Sequence, residues 1–162
     1  STPHFIQVVK LAGYLVSHGA QFVYTADDTH NPSVDAQYPG LVFPLPGPGM
    51  FATMMKTLMY PLHRNNITCA GKGGGEEAKT FMMERARKML MAQGHSGDRS
   101  HIMMIGDRFD TDVRAGRSAG FKSCLVLTGC HSLDVQRFFR SDPAHCYAET
   151  IGDLIPDLNE QI

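Results

Sequence analysis

Continuous apolar runs mark the second half of the chain. Four large apolar residues, Ile102–Ile105, end abruptly at Gly106, and a second run, Cys124–Leu127, follows a short polar segment. Runs of this length without alternation favour parallel strands that are covered on both faces. A third segment, His145–Ala148, is the last predicted strand.

Segments whose apolar residues have helical spacing lie between these strands and before them. Glu76–Met91 predicts a helix whose apolar stripe consists of Phe81, Met82, Ala86, Met89 and Leu90. Val8–Val16 and Phe51–Met59 predict two more helices in the first half. Alternating strands and helices predict an α/β fold with right-handed parallel crossovers.

The first half also contains short strands and polar or Pro-rich loops. Gln21–Tyr24 and Ile67–Ala70 are predicted strands, and a polar loop, Thr25–Pro32, follows the first. The segment Pro39–Gly49 is too rich in Pro for a helix or a central strand, so we expect a loop there.

Three carboxylates follow Gly106, and two of them suggest a site. Asp107 would lie at the carboxyl end of a parallel strand, where open α/β sheets bind ligands. Thr111 is a plausible N-cap of a helix over Asp112–Gly120, so Asp107 and Asp112 would flank one strand-to-helix turn. Such oxygen ligands could converge on Mg²⁺. The alternative is that these acids only cap the helix and face water.

Composition excludes several functional classes. The formal net charge of -1 provides no field for binding nucleic acid or an anionic membrane. No apolar run approaches the roughly 20 residues of a membrane span, and Ser1–His4 shows no signal-peptide pattern. The four cysteines lie far apart and predict buried thiols in a cytoplasmic protein. The eight histidines lack metal-ligand spacing, so we expect surface or loop positions.

Gly106–Val113 resembles the fourth motif of the haloacid dehalogenase-like (HAD-like) phosphatases. The resemblance is to the branch of p-nitrophenyl phosphatases, phosphoglycolate phosphatases and pyridoxal phosphatases, which writes this motif Gly-Asp-Arg-x-x-Thr-Asp-Ile/Val. Three further segments resemble motifs of that branch in order and spacing: Thr25–Asp28, Ala70–Lys72 and Leu125–Gly129. The match covers residues 5 to 130.

This resemblance implies a domain organisation and an activity. Residues 1–66 would be the carboxyl-terminal part of an α/β cap domain, and residues 67–162 the carboxyl-terminal half of a Rossmann-like parallel-sheet core. The activity implied is Mg²⁺-dependent hydrolysis of a small phosphorylated metabolite through an aspartyl-phosphate. The family also allows a homodimer through the cap, with Phe5, Tyr14 and Phe22 as interface or core residues.

The resemblance also assigns roles to individual residues. Asp107 would bind the metal, and Asp112 would orient a metal-bound water or Asp107 itself; Asp110 is a weaker candidate. The ammonium of Lys72 would offset the negative charge around the phosphate. Asp28 takes the position of the family's cap-loop Asp, although Ala26 replaces its Asn.

Other interpretations of Lys72 and Asp28 stay open at this stage. Gly71–Gly75 is not a nucleotide-binding loop, because that motif requires its Gly before the Lys and a hydroxyl residue after it. Lys72 could still be a solvated residue in a Gly linker, since Gly73–Gly75 replaces the family's Pro-Ser-Pro. Asp28 could belong to a turn that satisfies its own backbone.

No segment supplies the family's nucleophile, the first Asp of Asp-x-Asp-Gly. The only Asp-x-Asp is Asp110–Asp112, and Asp107 already ends the strand before it. We therefore expect this chain to match only the carboxyl-terminal part of such an enzyme, and to be poorly stable or to need a partner. Two alternatives are a catalytically inactive homologue that acts as a binding or regulatory module, and a receiver-like phospho-acceptor module.

Overall fold

The computed structural model describes residues 2–34, 36–72 and 81–155. The chain divides into two compact units, Ser1–Ala78 and Lys79–Ile162. Among the described residues, no helix is both long enough and apolar enough to cross a membrane.

The first unit packs two helices beside a parallel strand pair. Helix α1 (Thr2–Ser17) precedes strand β1 (Phe22–Ala26), and α2 (Pro48–Leu58) precedes β4 (Ile67–Lys72). β1 pairs in parallel with β4, with a bulge between Tyr24 and Ala26. The core residues are Val16, Tyr24, Ala52, Met55, Ile67 and Cys69. The predicted helices and strands of this half are therefore confirmed.

An antiparallel hairpin replaces part of the two predicted loops. Strand β2 (His30–Val34) pairs with β3 (Val42–Pro46), and Pro32 lies opposite Pro44. The prediction that Pro39–Gly49 is only a loop was wrong. In a two-stranded antiparallel ribbon, alternate N–H groups point away from the partner strand, so Pro is tolerated there although a central strand excludes it.

β4 belongs to the first compact unit because its partner is β1. The division between the units therefore follows Ala78, whereas the predicted boundary between cap and core followed residue 66. The assignment of cap and core to the two parts of the chain stays a prediction.

The second unit contains a three-stranded parallel sheet. After α3 (Phe81–Ala92) come β5 (Met103–Gly106), β6 (Lys122–Val126) and β7 (Cys146–Ala148), in the order β5-β6-β7. Both pairings are parallel, so the α/β fold class is confirmed. β5 lies at the edge of this described sheet and exposes Met103 and Ile105, at 44% and 37%. The prediction that this strand is covered on both faces was therefore wrong.

Helix α3 buries a slightly different face from the predicted one. Met83 is buried and Met82 and Leu90 pack against the same cluster, whereas Phe81 and Met89 are exposed. The predicted helix start at Glu76 lies outside the described residues.

The segment after β5 begins with a wide helical turn. Phe109–Val113 forms a π-helical turn and continues into α4 (Arg114–Ser118), which ends before Gly120 at φ 76°. Arg108 occupies the N-cap position, and Thr111 is buried inside the turn, so the prediction of Thr111 as the N-cap was wrong. Phe109 and Val113 pack beneath β6 against Leu125 and Ala144.

Short 3-10 helices complete the second unit. They span Arg99–His101, Leu133–Phe138 and Ile151–Leu154. All four cysteines are free. Cys69 and Cys124 are buried as expected, whereas Cys130 and Cys146 are only partly buried, so the prediction was wrong for these two.

Candidate functional site

Asp107 leaves the carboxyl end of β5, and Asp112 supports the backbone at that point. The backbone N–H groups of Asp107 and Arg108 donate to Asp112 Oδ2 at 3.1 and 3.2 Å. Asp112 is only 3% exposed, and it lies so close to Gly106 that a Cβ there would overlap its carboxylate. The structure thus brings Asp112 to the backbone of Asp107, with the Asp112 carboxylate directed at the main chain.

The loop after β6 contacts Asp107 from the neighbouring strand. The backbone N–H of Cys130 donates to Asp107 Oδ2 at 2.7 Å, and the N–H of His131 donates to the Asp107 carbonyl at 3.0 Å. A Cβ on Gly129 would overlap the Asp107 side chain. The close approach of these two loops therefore requires glycine at position 129.

His131 is part of this contact, which sequence reasoning missed. It is 8% exposed, and its Nδ1 accepts a hydrogen bond from the Phe109 N–H at 3.0 Å. Its ring stacks with those of Phe109 and Phe139 at centroid distances of 6.1 and 5.9 Å. His131 is in a loop, as expected of the histidines, but its side chain is buried. No local pattern in the sequence pointed to this contact, because it depends on the pairing of β5 with β6.

Arg108 and Asp110 form a largely buried ion pair beside Asp107. Arg108 Nε and Nη2 donate to the two carboxylate oxygens of Asp110 at 2.9 and 2.7 Å. Arg108 is 4% exposed, and its Nη1 also donates to Cys130 Sγ at 3.4 Å. Burial alone would raise the pKa of Asp110, but the hydrogen bonds and charge of Arg108 outweigh it and hold the pKa below its ordinary value. Asp110 therefore holds an arginine in place.

A divalent metal fits Asp107 as a single carboxylate ligand. Within the described residues, Oδ2 accepts the Cys130 N–H and no hydrogen bond is formed by Oδ1. Mg²⁺ commonly binds through one or two carboxylates and keeps several waters. Across residues 2–34, 36–72 and 81–155, no three His, Cys, Asp or Glu side chains are grouped to hold a metal. If a metal binds here, the described part of the chain could supply Asp107 as one direct ligand, with Asp112 supporting its backbone.

In the first unit, Lys72 and the loop after β1 lie together. β1 and β4 are parallel, so their carboxyl ends meet, and the Asp27 N–H donates to the Lys72 carbonyl at 3.1 Å. Lys72 itself is half-buried at the end of β4. Gly73–Gly75, which follow it, lie outside the described residues. The structure therefore places Lys72 and Asp28 in one unit, and Asp107 and Asp112 in the other.

The loop after β1 rests against three glycines. A Cβ on Gly71, Gly49 or Gly47 would overlap the backbone of Thr25, Asp27 or Asp28 respectively. The Gly49 N–H donates to the Asp28 carbonyl at 3.0 Å, and the Gly47 N–H donates to the Thr29 carbonyl at 2.9 Å. The backbone of the predicted substrate loop is therefore fixed by the segment that opens α2.

A side-chain network fixes the same loop from inside the unit. The Tyr24 hydroxyl donates to Asp27 Oδ1 at 2.6 Å, and Lys56 Nζ donates to the Tyr24 hydroxyl at 3.0 Å. Burial, followed by the Asp27 carboxylate, raises the pKa of Tyr24 above its ordinary range, so the phenol stays protonated. Sequence reasoning found neither Tyr24 nor Lys56, because 32 residues separate them.

Comparisons with known proteins show what this chain is similar to. The HAD-hydrolase-like family profile matches residues 77–154. Phosphoglycolate phosphatase 2 of Arabidopsis thaliana is 36% identical over 78 residues, covering 47% of this chain and 24% of that protein. Dihydroxyacetone phosphatase of Corynebacterium glutamicum is 29% identical over 157 residues, covering 91% of this chain and 50% of that protein.

Among solved structures, the p-nitrophenyl phosphatase of Archaeoglobus fulgidus shares the fold. Its TM-score is 0.65 at 20% identity, with 91% of this chain and 50% of that chain covered. The matches to these three proteins thus cover half or less of each relative's own length. The family profile over residues 77–154 and the two curated relatives support the resemblance found in Gly106–Val113: this chain is similar to the HAD-like phosphatases.

Proposed function

We propose that this chain is the carboxyl-terminal part of a Mg²⁺-dependent HAD-like phosphatase that hydrolyses a small phosphorylated metabolite. The observation that carries this proposal is the Asp107 carboxylate at the carboxyl end of β5, with its backbone held by Asp112 and by the loop after β6. Relatives named as phosphatases of phosphoglycolate and dihydroxyacetone phosphate support the substrate class.

Four residues of this chain have roles in the proposed reaction. Asp107 holds the metal, which when bound supplies positive charge at the phosphoryl group. Asp112 accepts the N–H groups of Asp107 and Arg108 and so fixes the direction of the Asp107 side chain. Lys72 provides a point charge for the phosphate, and Asp28 belongs to the loop that selects the substrate.

The nucleophile of the proposed reaction is a carboxylate outside these 162 residues, which contain no Asp-x-Asp-Gly. That carboxylate attacks the phosphorus, the alcohol leaves, and water hydrolyses the aspartyl-phosphate. In this reaction the residues of this chain hold the metal and offset the negative charge of the phosphate. They form no bond to phosphorus.

The test is Asp107→Asn in a complete enzyme that contains this segment. Because a direct metal ligand loses its charge, we expect Mg²⁺-dependent turnover of p-nitrophenyl phosphate to fall by more than about 100-fold. Asp134→Asn is the matched control, since Asp134 is exposed in a 3-10 helix. Near-normal turnover by the Asp107 variant would remove this residue from the site.

A catalytically inactive binding or regulatory module is the second candidate. Asp112 supports it, because this carboxylate already satisfies two backbone N–H groups and has a structural use without any metal. A complete natural protein that bound a phosphate ester at this site without turning it over would favour this candidate. Steady p-nitrophenyl phosphate turnover by that protein would exclude it.

We also propose a cytoplasmic location and a homodimer through the first unit. Phe5 and Tyr14 are exposed on α1, whereas Phe22 packs against the core, so the first two remain candidates for an interface. Sedimentation of a Phe5→Ser, Tyr14→Ser variant tests this assignment, and an unchanged dimer would contradict it.

A further inference from the structure

We propose that His131 is a positioning residue for Asp107, acting through the backbone of the loop after β5. Its metal-related consequence rests on the function proposed above, whereas its structural part does not. His131 touches no substrate atom in this proposal; it determines where the Asp107 carboxylate points.

His131 bonds to both sides of Arg108. Its own N–H donates to the Asp107 carbonyl at 3.0 Å, and its Nδ1 accepts the Phe109 N–H at 3.0 Å. His131, in the loop after β6, therefore forms hydrogen bonds to the two peptide groups that flank Arg108 in the loop after β5. The preceding residue completes the contact, because the Cys130 N–H donates to Asp107 Oδ2 at 2.7 Å.

The imidazole has a defined tautomer in this arrangement. Because Nδ1 accepts a hydrogen bond from a backbone N–H, it carries no proton, so the ring proton resides on Nε2. Nε2 lies 4.0 Å from Asp110 Oδ1, and Asp110 is bound in turn by Arg108. The hydrogen bond at Nδ1 and the stacking on Phe109 and Phe139 thus fix the orientation of the ring.

Packing alone does not require histidine at this position. A phenylalanine ring would fill the space beside Phe109 and Phe139, but it would leave the buried Phe109 N–H without this acceptor. An unsatisfied buried N–H is costly, so the loop would shift to find another partner. Movement of Phe109 would displace Asp107, which lies two residues earlier.

Three substitutions separate hydrogen bonding from packing. His131→Asn places an amide oxygen near the position of Nδ1, whereas His131→Gln moves its polar atoms one bond further out. His131→Phe keeps an aromatic ring and removes the acceptor. Phe139→Leu is the packing control, because it removes a stacking partner and leaves Nδ1 in place.

The readouts are amide signals in NMR spectra of a complete enzyme that contains this chain. Hydrogen exchange of the Phe109 amide reports the bond to Nδ1, and the Cys130 amide shift reports the Asp107 carboxylate. We expect His131→Gln and His131→Phe to speed Phe109 exchange by about tenfold or more and to move the Cys130 amide. His131→Asn should stay near the wild-type chain in both signals.

Unchanged Phe109 exchange and Cys130 shift in folded His131→Gln or His131→Phe would overturn the proposal. Phe139→Leu that moved the Cys130 amide as far as His131→Gln would overturn it as well, because packing would then suffice. If the Gln and Phe variants fail to fold, His131→Asn decides: a wild-type Cys130 shift supports the proposal and a displaced one overturns it.

A Mn²⁺ titration links the same variants to the metal. In a complete enzyme that contains this chain, the apparent Kd for Mn²⁺ should rise about tenfold in His131→Gln and little in His131→Asn. A complete wild-type enzyme that binds no Mn²⁺ contradicts the metal role of Asp107, whereas the amide signals alone decide the role of His131. The two failures are therefore distinguishable.

Discussion

The Arg108 guanidinium lies inside the protein, and Asp110 is the carboxylate that meets it. Two parallel hydrogen bonds join them, a geometry that suits a planar guanidinium and a carboxylate. A buried pair of this kind adds little net stability, yet removing one partner is costly because the remaining charge loses its counter-ion. The main effect of this ion pair is therefore to hold Arg108, the residue next to Asp107, in place. Its net contribution to the stability of the chain is small.

Asp110→Asn should lower the free energy of unfolding at pH 7 by about 1–3 kcal/mol, because a charged hydrogen-bond acceptor becomes neutral. The pKa of Asp110 is lower in the folded state, so its contribution is present above the unfolded value of about 4 and is lost as the pH falls through the folded value. In denaturant unfolding experiments carried out at pH values from 7 to 2, the free energy of unfolding of the variant should therefore approach that of the wild-type chain at the acid end.

Glu84→Gln is the control for this acid dependence. The hydrogen bond from Arg99 outweighs the other effects and lowers the pKa of Glu84 too, but Glu84 lies on α3 and is not part of the Asp110 pair. Glu84→Gln should retain the part of the pH dependence of the unfolding free energy that Asp110→Asn loses. Identical pH profiles for Asp110→Asn and the wild-type chain would contradict the proposed contribution of the ion pair.

The position of Asp107 at a strand end could be predicted from the sequence, whereas the contact of His131 could not. The difference has a physical reason. An acid directly after an apolar run and a glycine is a local pattern, so its place at a strand end follows from neighbouring residues. The Phe109 N–H and its acceptor on His131 are 22 residues apart, and no spacing rule connects them. Their contact exists because β5 and β6 are adjacent, which only the folded sheet establishes.

At the level of elements, close backbone contact dominates the first unit. β1 ends in a loop that lies against the end of β4 and the start of α2, and glycines occupy the contact points. The bulge in β1 between Tyr24 and Ala26 lies at the same place. The absence of side chains at these positions is what allows Thr25 and Asp27 to approach their neighbours.

Gly71→Ala should destabilise the chain by about 1–3 kcal/mol or more, because its Cβ would overlap the Thr25 carbonyl oxygen and backbone atoms yield little. Gly13→Ala is the matched control, since its Cβ would meet only the ends of the Met59 and Leu58 side chains inside a helix. There, alanine can add up to about 1 kcal/mol through helix propensity. Urea unfolding compares the two variants, and equal stabilities would show that the loop yields easily.

Elements with local periodicity were predicted well, and the others were not. α1, α2 and the strands β1, β4, β6 and β7 follow from runs and helical spacing in their own residues. The β2-β3 hairpin was missed because Pro32 and Pro44 argue against strands, and only their position in a two-stranded ribbon makes them acceptable. The π-helical turn at Phe109–Val113 was missed because no composition rule specifies one.

For the whole molecule, the informative feature is apolar surface that the described units leave exposed. β5 exposes Met103 and Ile105, and α1 exposes Ile6 and Leu11. The α/β class followed from the alternation of elements, but the division into units did not, because β4 pairs with a strand 45 residues earlier in register (Phe22 with Ile67). Exposed apolar residues on an edge strand favour association with another chain.

We therefore expect the 162-residue chain to associate at micromolar concentration, and Met103→Lys with Ile105→Lys to reduce that association. Two lysines add charge to the edge strand and remove its apolar side chains. Leu41→Lys with Leu62→Lys is the control, because it adds the same charge at other exposed positions. Sedimentation velocity measures the effect, and a monomeric, cooperatively unfolding wild-type chain would contradict the expectation.

The position of β5 has a practical consequence. Within the described part of the sheet, β6 pairs with only one side of β5, and Asp107 follows directly at its end. A separate polypeptide that added a parallel strand on the other side would deliver its own terminal side chains next to that carboxylate. Under the phosphatase function proposed above, colour release from a chromogenic ester would then report whether the two polypeptides had met.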